Sequence, residues 1–244
     1  MASKIPQYRI WDSARDHAKK YDYEEAVKLY RGIEADFTNL AKWRPEKSET
    51  DILFDQAMFF SDYCGTLADA GLYADALEKG NIALVRIQQG NFTTIRYIYY
   101  NMGQIYLFQK QYMEAVQWYE KALDRYFQRE KIAERAELNY LINYGIAVYH
   151  ISEYDKAEKA FSAVIEYSKG SKYAGSFEPY FYMSKLSVLH GNNTMADKYN
   201  KMYLSRLKKY SDAEIKWSIS SMEEKNEILA DYRSENRQAP ANHN

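Results

Sequence analysis

YYNMGQIYLFQKQYMEAVQWYEKA, residues Tyr99 to Ala122, carries the spacing that decides the fold. Gly103 is followed nine positions later by Tyr112 and three further on by Ala115, with Tyr99 four before the glycine and Tyr119 four after the alanine. Residues four apart share a helix face. The stretch therefore reads as two helices, each with a small residue among aromatic ones. Paired helices approach closely only where side chains are small. Gly103 and Ala115 mark such crossings, and the aromatic residues fill the space beside them.

Outward from this stretch the spacing recurs four more times, as Ala14, Tyr23, Ala26; Cys64, Tyr73, Ala76; Gly145, Tyr154, Ala157; and Ser184, Asn193, Ala196. Ile10, Phe60, Leu141 and Tyr180 stand four before the small residues, and Tyr30, Gly80, Phe161 and Asn200 four after the alanines. Gly80 and Asn200 replace aromatic knobs, so the second and fifth copies are expected to pack more loosely. Successive alanines lie 50, 39, 42 and 39 residues apart. Self-similarity at such a period is the mark of stacked helical repeats. Composition agrees: 10 Gly and 4 Pro in 244 residues supply too few turns for many short strands. No proline falls between Pro45 and Pro179, so nothing there forbids continuous helical hairpins.

The pattern resembles the tetratricopeptide repeat, with Gly103, Tyr106, Tyr112, Ala115, Tyr119 and Ala122 matching in register. The resemblance runs from about Ile10 to Tyr203. It departs from the family in lacking a closing proline and in exceeding the usual period of about 34 residues. It implies an all-α chain, a right-handed superhelical solenoid of about five helix pairs plus a C-terminal capping helix. The expected boundaries are one domain over 1–233, with repeats near 7–36, 50–89, 94–128, 133–169 and 174–209. Residues Asn39 to Ser48, around Trp43 and Pro45, read as an irregular connection. Ser211 and Glu214 have capping-box spacing, and Ile215, Ile219, Met222 and Leu229 form an apolar stripe, which predicts a capping helix over 211–233. Residues 234–244 have little to bury and are expected to be disordered.

By the same resemblance, the first helix of each pair lines a concave groove, and the residue two before the small residue points into it. These are Asp12, Asp62, Asn101, Asn143 and Tyr182. An asparagine amide both donates and accepts, so Asn101 and Asn143 could grip a peptide backbone as a ladder. Tyr97, Tyr100, Gln104, Asn139, Tyr149, His150 and Lys185 complete the expected surface, in which tyrosines supply contact area at low entropic cost. Asp12, Asp62 and Asp69 make the N-terminal end acidic, tempered by Arg15 and Lys19. Around Asn101 and Asn143 stand Tyr, Gln, Leu, Ile and His rather than the Lys and Arg of a basic clamp, so a partner with a mixed or basic portion and an apolar body is expected in the groove, rather than an acidic tail. The implied function is a scaffold or adaptor that binds an extended segment of another protein. Alternatives are a regulator responsive to a peptide or small ligand, and a structural subunit that self-associates as a homo-oligomer.

Other classes find little support. A net charge of −1 gives no field to attract nucleic acid, and the basic cluster Lys198, Lys201, Arg206, Lys208, Lys209 reads as a solvated face. No run of 18 apolar residues suggests membrane insertion, and Met1 to Ile10 lacks a leader pattern, so a cytoplasmic location is expected. Cys64, the only cysteine, sits at a small-residue position and reads as a core spacer. His17, His150, His190 and His243 are scattered without metal-site spacing, and His17 reads as a packed histidine. Glu24, Glu25, Glu223 and Glu224 read as solvated helix faces. With no phosphate loop or nucleophile elbow, neither enzymatic activity, a catalytic residue, a cofactor nor a metal is expected.

Overall fold

The computed structural model describes residues 6–92, 96–133, 135–169, 176–219 and 222–237. Among these every regular element is a helix. They fall into two compact units, Met1–Tyr106 and Leu107–Asn244. The first holds α1 (Pro6–Lys19), α2 (Tyr23–Thr38), a short α3 (Leu40–Trp43), α4 (Glu49–Asp69), α5 (Tyr73–Gly90) and most of α6 (Tyr97–Phe108). The second holds α7 (Tyr112–Ala122), α8 (Asp124–Arg129), α9 (Ala136–His150), α10 (Tyr154–Lys169), α11 (Glu178–Leu189), α12 (Asn193–Leu207), α13 (Asp212–Ser218) and α14 (Lys225–Arg237). Of the expected tail, 234–237 continue α14, and 238–244 lie outside the described residues, His243 among them.

The residue nine after each small one, Tyr23, Tyr73, Tyr112, Tyr154 or Asn193, opens the second helix of its pair. Two residues earlier the backbone turns left-handed each time, at Tyr21 (φ 62°), Gly71 (78°), Lys110 (60°), Ser152 (64°) and Gly191 (70°). The following amide then reaches back five residues, as in Leu72 N to Leu67 O (2.8 Å) and Glu153 N to Val148 O (2.9 Å). This closure ties up carbonyls that a helix end leaves open. Only two of the five positions carry glycine, which alone adopts positive φ without strain. Ser152 is exposed. Ser152→Gly is therefore expected to stabilise the second unit by about 0.5–1 kcal/mol, read as a higher urea midpoint with unchanged slope.

The small residues lie where close packing needs them. Ala14, Ala26, Cys64, Ala76, Ala115 and Ala157 are wholly buried, and Ala196 nearly so. Burial pushes the Cys64 thiol well above its ordinary range, as expected of an inert core spacer. Gly80 is not a loose position. A Cβ there would lie 2.5 Å from Met102 Sδ and 3.1 Å from Cys64 Sγ, so neighbouring side chains already fill the space an aromatic would take. In the first unit Phe37 stacks on Phe59 (4.1 Å between centroids) and Tyr30 on Tyr63 (4.9 Å), with Trp11 edge-on to both Phe37 and Phe59. In the second, Phe161 stacks on Tyr182 at 5.3 Å.

Three local features differ from expectation. The connection at 39–48 contains α3, and Trp43 Nε1 donates to Asp36 O (2.8 Å). His17 is not packed in the core: its Nδ1 lies 2.7 Å from Asp22 Oδ2 across the exposed turn between α1 and α2. The C-terminal cap is two helices rather than one. Ser211 and Glu214 form the expected capping box, with Glu214 N donating to Ser211 Oγ (3.3 Å) and Ser211 N to Glu214 Oε2 (2.8 Å). Ile215, Ile219 and Met222 are buried, but α13 ends at Ser218, and α14 resumes with Ile228 and Tyr232 turned inward. The stripe shifts by one residue from Leu229 because α13 and α14 are separate helices, so the helical phase is not carried from one to the other.

Candidate functional site

In the first unit the expected groove residues are largely engaged by their own chain. Asn101 is 1% exposed; its Nδ2 donates to Ser61 O at 2.8 Å and lies over Gly65, where a Cβ would come within 3.1 Å of it. The amide grips a backbone as its chemistry allows, but the backbone is that of α4. Gln104, also buried, donates to Asp69 Oδ1 at 2.7 Å. Asp62 accepts from Trp11 Nε1 (3.0 Å) and lies 3.3 Å from Arg15 Nε, while the Tyr97 phenol is directed at Asp62 and Asn101. Burial raises the Asp62 carboxyl above its usual range despite these partners. Two of the three acidic groups at this end are thus tied to internal donors, and Asp12 remains exposed. Tyr97 and Tyr100 are half-buried.

The expected residues of the second unit fall on α9 and α11. Asn139 is exposed, Asn143, Tyr149, His150 and Lys185 are half-buried, and Tyr182 is wholly buried. Glu224, just before α14, and Glu227 in its first turn lie against Tyr182, His150 and Lys185. Tyr182 OH donates to Glu224 Oε2 (3.0 Å), His150 Nε2 is 3.8 Å from the same oxygen, and Lys185 Nζ is 2.8 Å from Glu227 Oε2. Next to these, Glu223 takes Lys110 Nζ at 2.8 Å and Tyr112 OH at 3.0 Å, and the Tyr112 ring stacks on His150 at 4.4 Å. Lys110 sits at the left-handed turn before α7 and Tyr112 opens that helix.

Burial dominates the electrostatics here. Burial holds His150 below its ordinary value, outweighing Glu224 and Glu223, which pull the other way. At neutral pH the ring is uncharged and its contact with Glu224 is not a formal ion pair. Lys110 and Tyr112 hold the Glu223 carboxyl below the usual range. Burial raises the phenols of Tyr112 and Tyr182, and their bonds to carboxylates raise them further. Spacing alone missed Lys110, Tyr112, Glu223, Glu224 and Glu227. Adjacent glutamates at the point where one apolar stripe stops and another begins were the available signal.

Glu178, at the start of α11, is 7% exposed and accepts from the hydroxyls of Ser176 and Ser218, the latter tying α13 to α11. Burial pushes its carboxyl up to about 6, with Ser218 opposing. A carboxyl raised on folding disfavours the folded state above that value, and the penalty fades as pH falls toward the unfolded value of 4.5. Glu178→Gln is therefore expected to stabilise the chain by up to about 2 kcal/mol at pH 8 and to be neutral near pH 4, as read by urea unfolding at both pH values. An equal effect at both would refute a charge origin.

Residues 94–169 match the family model described as tetratricopeptide repeat. No curated protein matches the sequence. Among solved structures, the chain resembles MamA at 20% identity, TM-score 0.51, covering 80% of this chain and 94% of that one. It resembles BtubC (BKLC) from P. vanneervenii at 14% identity, TM-score 0.61, covering 82% and 87%. A kinesin light chain-like protein from Podosopora anserina with nearly identical TPR-like repeats gives 12% identity, TM-score 0.61, covering 85% and 98%. At such identities the likeness shows the shared fold.

Proposed function

We propose that this chain, which carries tetratricopeptide repeats, is a protein–protein interaction scaffold. It holds an extended segment of another protein against the first-helix face of its second unit. One observation carries the reading: His150, Tyr182 and Lys185, picked out as groove residues by the repeat, each meet a carboxylate of residues 224–227. A face that orders a stretch of its own chain has the donors and the aromatic walls to order a foreign one. Asn139, Asn143 and Tyr149 continue the same helix face along α9, and of the three Asn139 is the exposed one. Asn101 and Gln104 are tied to Ser61 and Asp69, so they act as internal struts of the first unit in this reading.

The test is site-specific photocrosslinking. A photoreactive residue at Asn139 or Asn143 is expected to capture the same partner protein, and one at the exposed Glu166 of α10 is not. Labelling of equal strength from Glu166, or none from the first two, would remove the proposal.

A further inference from the structure

Three carboxylates on one short stretch, Glu223, Glu224 and Glu227, meet five side chains brought from the turn before α7, from α7, from the end of α9 and from α11. We propose that the surface formed by Lys110, Tyr112, His150, Tyr182 and Lys185 receives an acidic segment of a partner protein, with two adjacent glutamates and a third three residues on. The chain's own residues 222–237 occupy that surface in competition. The inference rests on the scaffold reading above and adds to it the chemistry of the partner and an autoinhibitory step.

The bound segment supplies both halves of the argument. It displays the recognition chemistry, since cationic and phenolic donors arranged for carboxylates prefer an acidic guest. Lys185 is further placed by the Phe181 ring, 4.9 Å from its Nζ. The segment is also held incompletely. The Lys110–Glu223 pair is 49% and 43% exposed and the Lys185–Glu227 pair 29% and 52%, so water competes for both. His150 Nε2 is shielded from solvent yet makes no hydrogen bond, standing 3.8 Å from Glu224. A buried polar atom without a partner weakens the complex that leaves it so, and a guest carboxylate about 1 Å closer would satisfy it.

The experiment uses the full chain and a fluorescent peptide, MEEKNEILADYRSENR, copied from residues 222–237. Fluorescence anisotropy is expected to show the chain carrying Glu223→Gln, Glu224→Gln and Glu227→Gln binding it at least about tenfold more tightly than the unaltered chain, because apparent affinity scales with the open fraction. A peptide with glutamine at the same three positions should bind neither, and adding Lys110→Ala with Lys185→Ala should abolish the gain. Equal binding of both peptides would overturn acidic recognition while leaving the scaffold reading intact. That reading fails separately, through the photocrosslinks. As a check independent of the triple variant's folding, excess acidic peptide should speed hydrogen exchange in 225–237 of the unaltered chain without exposing α9 or α11; no change at saturation would also overturn the proposal. A concentration-dependent dimer of the unaltered chain that dissolves in the triple variant would identify a second copy as the occupant, and would overturn a foreign partner.

Discussion

Phe161→Ala is expected to lower the stability of the second unit by about 3–5 kcal/mol, the cost of deleting a large ring from a packed core. Phe161 is wholly buried and its ring is almost parallel to that of Tyr182, at 3° and 5.3 Å. It also fills the hollow above Gly145, where a Cβ would come within 2.6 Å of Phe161 Cε1 and 2.8 Å of Cζ. Removing the ring loses its transfer free energy and leaves a cavity between α9, α10 and α11, whose backbones cannot all collapse into it. The reciprocal change, Gly145→Ala, inserts a methyl where the ring already sits and is expected to cost about 1–3 kcal/mol by overpacking. If the two share one contact, Phe161→Leu should be less damaging in the Gly145→Ala background than alone. Urea unfolding of the four chains gives the coupling directly. Strict additivity would mean that glycine at 145 serves something other than the approach of this ring.

Glu137→Ala is expected to cost about 2–4 kcal/mol, because a buried carboxylate here replaces helix capping as the organiser of a connection. Glu137 has no exposed side-chain surface. One oxygen takes Arg129 Nη2 at 2.6 Å from the end of α8, and the other takes the backbone amide of Ala133 at 2.8 Å. The carboxylate thus pins both sides of the link between α8 and α9. Alanine would leave the Ala133 amide without its acceptor and open a void the size of the lost side chain. Glu137→Gln keeps an acceptor for Ala133 and removes the charge, so it should cost clearly less. Hydrogen exchange at residues 130–138 should accelerate in the alanine variant before the rest of α9 loosens; uniform acceleration across the unit would argue against a local pin.

Helix pairing was legible in the chain because its cause is local. A small residue, a turn and an alanine 12 positions after the first small residue place one helix against the next through contacts between near neighbours. The left-handed turns follow from the same register, even where tyrosine, lysine or serine occupies them. The single-residue shift from Leu229 to Ile228 marks the limit of that reading, since a periodic stripe assumes an unbroken helix and the break at Ser218 resets its phase.

The candidate site was legible only in part. Repeat position put His150, Tyr182 and Lys185 on the expected face but gave no sign of the carboxylates they meet, because Glu224 and Glu227 each lie 42 residues along the chain from Tyr182 and Lys185. Asn101 shows the same limit from the other side: its place in the repeat is as expected, yet its amide bonds to a carbonyl 40 residues earlier. Spacing between near neighbours sets which face of a helix a side chain occupies. Whether that face meets solvent, another helix or the returning C-terminus depends on contacts between distant segments, whose loop-closure entropy and burial leave no periodic trace in the residues themselves.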